Sequence, residues 1–180
     1  MLARLFDYGF TDLYAVERDA EQFQLAGIKP CTVDLNSEFC RQFDRRFALI
    51  TAVEIIEHLD CPRDFLRQVR ALLDDGGYLL LTTPNVSSWV GRIYFLLWGK
   101  LRWFDETQYK PLRHISPIID VQMRFMLNEN AFELVDFTSA GSFYGPLKRV
   151  VTAPVGLFFR AIFGRWVWGD CNIYLATTAR

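Results

Sequence analysis

The rhythm of apolar positions changes several times along this chain, and each change marks an element. Leu2 to Tyr8 has helical spacing, with Gly9 placed to end it. Three short apolar runs without alternation follow: Leu13–Val16, Ile28–Val33 and Phe47–Val53. Runs of that kind suit strands buried on both faces. Ala20 to Ala26, closed by Gly27, reads as a helix between the first two. Phe65, Leu66, Val69, Leu72 and Leu73 then form one helical stripe behind Pro62, which the first turn tolerates, and Gly76-Gly77 closes it. Tyr78–Thr83 is a further apolar strand, stopped by Pro84. Beyond it the pattern predicts an aromatic helix over Trp89–Phe104 and an amphipathic helix over Pro117–Asn128 with Ser116 as its cap. A strand over Phe132–Ser139, a second aromatic stretch over Leu147–Trp168 and a last strand over Cys171–Thr178 complete the chain. Strands alternating with helices predict an α/β domain: a mostly parallel sheet, helices on both faces, and a closing antiparallel pair of Phe132–Ser139 with Cys171–Thr178.

Composition narrows the field. Of 180 residues, 51% are apolar and 16% aromatic, which supports a packed core and excludes disorder. The net charge of −1 hides an asymmetry: residues 1–85 carry 9 basic and 14 acidic side chains, residues 86–180 carry 11 and 7. Basic residues this few and scattered make nucleic acid a poor partner. No segment approaches the ~20 apolar residues that span a bilayer, and Asp7 interrupts any leader-like run. Four cysteines without a CxxC pair, and two histidines in no ligand rhythm with them, predict reduced thiols, a cytoplasmic protein and no metal. Nothing in the sequence bears on oligomeric state.

Three acids end successive strands: Glu17, Asp34 and Glu54. Ligands of open parallel sheets bind beyond the carboxyl ends of the strands. A carboxylate there can accept both hydroxyls of a ribose, and an acid one strand on can accept from an adenine amino group. Acids also follow strands because they open turns and cap helices. It is the succession of three that favours a nucleoside site. A nicotinamide-dependent oxidoreductase would suit the same acid at the second strand.

The runs Val16-Glu17-Arg18-Asp19 and Val33-Asp34-Leu35, with TAVEIIEHLDCPRDFLRQVRALLDDGGYLLLTTPN, resemble the class I S-adenosylmethionine-dependent methyltransferases. The nearest likeness is to the group that includes the quinone-type O-methyltransferases. The resemblance implies a Rossmann-like fold with S-adenosylmethionine as cofactor, Glu17 on its ribose, and Asp34 with Leu35 bordering its adenine. Backbone at Thr51, Ala52 and Val53 would face its methionine part. The E-x-x-E-H block argues against the oxidoreductase. The family's first strand and glycine-rich loop are absent before Leu2, so the resemblance implies an N-terminally truncated chain. A non-catalytic remnant or binding protein of the same fold is the alternative.

Two histidines are the candidates for work on the acceptor. His58 follows Glu57 at the mouth of the expected site, where a base near neutral pH would be useful; it could equally position the loop before Pro62. His114 precedes Ser116 in a stretch that, in such enzymes, often folds over the acceptor; a structural hydrogen bond is its other reading. The aromatic segments 86–116 and 143–170 read as insertions on one domain spanning 1–180. They are expected to form a lid over a small-molecule acceptor of lipid, quinone-like or glycan type, or to touch a membrane surface.

Overall fold

The computed structural model describes residues 2–18, 21, 23, 27–28, 30–141 and 146–179, without the side chains of residues 146–149, 151 and 165. In chain order the elements are α1 (Leu2–Asp7), β1 (Val16–Glu17), β2 (Cys31–Thr32), β3 (Phe47–Val53), α2 (Pro62–Leu72) and β4 (Leu73–Pro84). They continue with α3 (Trp89–Trp98), α4 (Glu106–Leu112), α5 (Asp120–Glu129), β5 (Phe132–Ala140), α6 (Pro146–Phe163) and β6 (Cys171–Thr178).

The main sheet has the order β3-β4-β6-β5. β3 and β4 run parallel; β6 runs against both β4 and β5, with Phe132 opposite Thr178 and Ala140 opposite Cys171. The closing antiparallel pair therefore forms where the sequence places it. β1 and β2 make a separate parallel ladder of two residues each, Val16 opposite Cys31 and Glu17 opposite Thr32. It lies alongside β3 without a ladder joining them. Below β1, Arg45 donates to Asp12 and to the Tyr14 hydroxyl, and Tyr14 meets Phe47 edge-on at 5.4 Å. Above β2, Asp60 N–H donates to Asn36 Oδ1 at 2.9 Å. Both ends coincide, so the carboxyl ends of β1, β2 and β3 open on the same side.

The core lies on one face of the main sheet. Ala52, Leu79, Leu81, Tyr174 and Ala176 meet Phe65, Leu66 and Val69 of α2 and Met123 and Leu127 of α5. Gln68, buried in this layer, accepts from Cys40 N–H and donates to the Ser37 carbonyl, which fixes the segment after β2 against α2. The opposite face is open: Leu49, Val53 and Tyr78 are 39%, 39% and 45% exposed.

Several expectations need correction. β1 and β2 are two-residue ladders, far shorter than Leu13–Val16 and Ile28–Val33 imply. The helix over Ala20–Ala26 lies largely outside the described residues. α2 ends at Leu72, and the chain is already extended through Gly76. The aromatic helix stops at Trp98 because Gly99 takes φ +64° as its left-handed cap, and a short helix, α4, follows it. Ser116 caps nothing: its hydroxyl donates to the Leu59 carbonyl at 2.6 Å, and α5 starts only at Asp120. Helix α6 runs through Pro154. No described helix is long and apolar enough to cross a membrane.

Candidate functional site

The turn after β3 is built under strain. Glu54 has φ +52°, a left-handed conformation costly for a side chain with a Cβ. Hydrogen bonds hold it there: Glu54 N–H donates to Thr82 Oγ1 at 3.0 Å, while Thr82 Oγ1 and Cys171 Sγ donate to Glu54 Oε1 at 2.9 and 3.1 Å. The strained residue turns the chain into a short 3₁₀ segment, Ile56–His58, above the ends of β3 and β4.

That segment carries Glu57 and His58. Glu57 is fully buried; Thr83 Oγ1 donates to its Oε2 at 3.3 Å, and its Oε1 has no hydrogen-bond partner. Burial pushes its carboxyl up to about 8, and the charge of neighbouring Glu54 adds to the rise. The Glu57 carbonyl accepts from both Ile115 N–H and Ser116 N–H at 3.0 Å. With the Ser116–Leu59 bond, this staples the segment after α4 onto the turn after β3.

The staple brings His114 to His58. Arg113, at φ +55°, ends α4 and turns the chain toward the site. The imidazoles meet edge to face with centroids 4.7 Å apart, and Phe104 lies 5.4 Å from His114 on another side. His114 Nδ1 lies 2.8 Å from the Trp103 carbonyl. A carbonyl can only accept, so Nδ1 carries the proton and the Nε2 lone pair is left to act. Burial lowers the His114 pKa, which keeps the ring neutral. An open cleft of about 690 Å³ begins at His114, lined by Leu101, Phe104, Tyr109, Ile115 and Pro117 together with the charged Lys100, Lys110, Asp105 and Glu106.

The expected cofactor residues lie elsewhere along the same rim. Glu17 ends β1, half-buried, with Oε1 accepting from Arg18 N–H at 2.8 Å. Asp34 follows β2, exposed, and caps the next turn through Asn36 N–H. Leu35 packs on the core, Thr51 is half-buried, Ala52 buried and Val53 exposed on β3. The acids thus stand at adjacent strand ends, as a nucleoside-bearing cofactor requires. Their carboxylates are the right chemistry for a ribose diol and an amino group. Glu57 and Cys171 are site members to which the sequence pattern assigns no role; the E-x-x-E-H spacing marks Glu57, and nothing in the sequence marks Cys171.

Against known proteins, residues 1–136 match the family described as a methyltransferase domain. This chain belongs to that family. The enzyme class is therefore fixed: a methyltransferase. Among solved structures it is similar to a SAM-dependent methyltransferase from Archaeoglobus fulgidus, with TM-score 0.66 and 16% identity over 98% of this chain and 80% of that one. It is also similar to the [4+2]-cyclase SpnF (TM-score 0.51, 16% identity, 84% of this chain and 56% of that one). A third is the CurJ carbon methyltransferase (TM-score 0.50, 18% identity, 86% and 36%). At these identities the likeness is one of fold, the Rossmann-like class I methyltransferase fold, and the cyclase shows that this fold also carries other chemistry. No curated protein matches the chain significantly.

Proposed function

We propose that the chain transfers the methyl group of S-adenosylmethionine to an oxygen of a small, largely apolar acceptor of lipid, quinone-like or glycan type. The observation that supports this most is the junction of two sites at one rim. Strand-end acids suited to a nucleoside stand beside an apolar cleft whose inner wall is His114, backed by His58. Glu17 takes the ribose hydroxyls, Asp34 and Leu35 border the adenine, and backbone at Thr51, Ala52 and Val53 faces the methionine part. When bound, the cofactor supplies an electrophilic methyl carbon on a sulfonium. An acceptor oxygen forms its bond to that carbon as the carbon–sulfur bond breaks, with the electron pair passing to sulfur. His58 and His114 meet the acceptor hydroxyl, and its proton leaves on their side. Alignment supplies most of the rate.

Helices α3 and α6 form the lid in this reading. They pack together where Gly156 leaves room: a Cβ there would come within 2.6 Å of the Trp168 ring and 3.2 Å of Trp89 Nε1. The Arg92 guanidinium lies 4.3 Å from the centroid of Phe163. Their outer faces expose Leu96, Leu97, Trp98, Leu157 and Phe158, and neither 86–104 nor 141–169 contains an acid. That favours a second statement, attachment of a cytoplasmic enzyme to anionic lipid. Salt-sensitive co-sedimentation with anionic vesicles, lost in an Arg160→Glu/Arg165→Glu variant, is the expected result; no sedimentation at low salt removes it.

The slot beside β3 completes the proposal. Among the described residues β3 pairs only with β4, and its exposed edge faces the β1–β2 ladder. An open edge next to a core is costly. We assign that slot to a further strand ending in a glycine-rich turn, with α1 as the end of the helix that follows. In-frame codons for D-x-G-x-G-x-G upstream of Met1 are expected, and their absence would remove this part. The whole reading is tested by supplying methyl-labelled S-adenosylmethionine with membrane-lipid and aqueous extracts. Label in an extractable small molecule is expected. Binding of S-adenosylhomocysteine without any label transfer would favour the non-catalytic alternative.

A further inference from the structure

Outside the cleft the molecule holds a buried ion pair that the methyl-transfer reading leaves unused. Arg102 Nη1 donates to Asp170 Oδ1 at 2.6 Å, and the two side chains are only 12% and 5% exposed. The other ion pairs among the described residues each have at least one exposed partner. Burying two charges is costly, and a buried pair adds little net stability over apolar packing; its use lies in fixing one arrangement.

The carboxylate end of this pair is anchored to the main sheet. Asp170 directly precedes β6, and its carbonyl accepts from Asn85 N–H at 2.8 Å. Asn85, just past β4, also donates through Nδ2 to the Trp166 and Gly169 carbonyls at 2.8 and 2.9 Å. Arg102 carries that anchorage 68 positions back along the chain, into the loop between α3 and α4. Its guanidinium lies 4.4 Å from the centroid of the Trp103 ring. Trp103 itself has φ +74°, a left-handed conformation that a bulky residue keeps only where its surroundings impose it. In this conformation its carbonyl lies 2.8 Å from His114 Nδ1.

We propose that Arg102 and Asp170 are positioning residues: they fix the Trp103 carbonyl and thereby hold His114 in its Nδ1–H form. Neither residue lines the cleft, whereas His114 does. A free neutral imidazole in water favours the proton on Nε2, and a carbonyl held at Nδ1 reverses that preference. The tautomer stands apart from the methyl-transfer reading, but its use rests on it. With Nδ1 protonated, the lone pair on Nε2 can receive the proton of an acceptor hydroxyl. A ring in the other form would already carry a proton on that nitrogen.

The experiment is a long-range ¹H–¹⁵N correlation spectrum of the full chain with ¹⁵N-labelled histidine, recorded without cofactor or acceptor at a pH where imidazole is neutral. The chain has two histidines, and a His58→Gln variant assigns their signals. The expected result is the Nδ1–H form for nearly all of His114 in the unaltered chain. Arg102→Gln and Asp170→Asn should each convert it to a mixture dominated by Nε2–H, while circular dichroism shows an intact fold. Arg124→Gln, which breaks the surface pair with Asp120, should leave the tautomer as it was. A merely structural ion pair would lower the midpoint of thermal unfolding in the first two variants and leave the tautomer alone. Asp170→Glu keeps the buried charge and displaces the guanidinium by a methylene, so a folded variant is available for measurement; it too should lose part of the Nδ1–H form. An Nε2–H form of His114 in the unaltered chain overturns the proposal, as does an unchanged tautomer in every folded variant of the pair. These outcomes are independent of whether S-adenosylhomocysteine binds, so failure here and failure of the methyl-transfer reading are told apart.

Discussion

The two faces of the main sheet are made from the same strands and could hardly be treated more differently. On one face Leu79, Leu81, Tyr174 and Ala176 are sealed under α2 and α5, each at most 1% exposed. On the other, Leu49, Val53 and Tyr78 stand with 39–45% of their surface in water. Both faces are apolar in sequence, as parallel strands covered twice should be. The difference lies in what covers them. The helices of the first face lead straight into their strands, α2 into β4 and α5 into β5, and both carry buried apolar residues. Among the described residues the second face has no comparable layer, and α1 contributes no buried residue. Stability in this molecule resides on one side of the sheet, whereas the proposed cofactor site draws on the rim shared by both.

The contrast can be broken most forcefully at Leu81. Leu81→Ala, on the sealed face, is expected to cost about 2–5 kcal/mol in urea unfolding, the usual range for a buried leucine. Equal losses from Leu49→Ala would show the open face to be covered in solution. Next in size is Gln68→Ala. It leaves Ser37 carbonyl and Cys40 N–H without their partner and should cost about 1–3 kcal/mol. A loss near zero would mean that the segment after β2 is not held to the sealed face. The smallest effect is expected from Tyr78→Ser. It should change stability by no more than about 0.5 kcal/mol while reducing binding of a hydrophobic dye.

Most of the fold was legible because the main strands are nearly pure apolar runs with clear stops. The runs Phe47–Val53 and Cys171–Thr178 coincide with their strands to the residue. The first two apolar runs predict longer strands than form, since an apolar run signals burial and says nothing about whether a partner edge is there to pair with. Ser116 looked like a cap from its position before a helical pattern. Its hydroxyl instead ties two distant loops, a tertiary choice that no local pattern carries. His58 and His114 were singled out separately, but their meeting depends on the Glu57 carbonyl accepting two N–H groups from beyond α4. Glu57 itself reads as an ordinary turn acid until its complete burial is seen.

The central claim, a nucleoside-bearing cofactor held by the strand-end acids, is tested most directly by calorimetric titration of S-adenosylhomocysteine into the chain carrying the strand and glycine-rich turn proposed for the slot beside β3, and into the Glu17→Ala variant of that protein. A hydrogen-bonded carboxylate on the ribose predicts saturable binding that weakens by about 1.5–3 kcal/mol in the variant, roughly 10- to 100-fold. Equal affinities for the two proteins, or no binding to the first of them, would contradict the account.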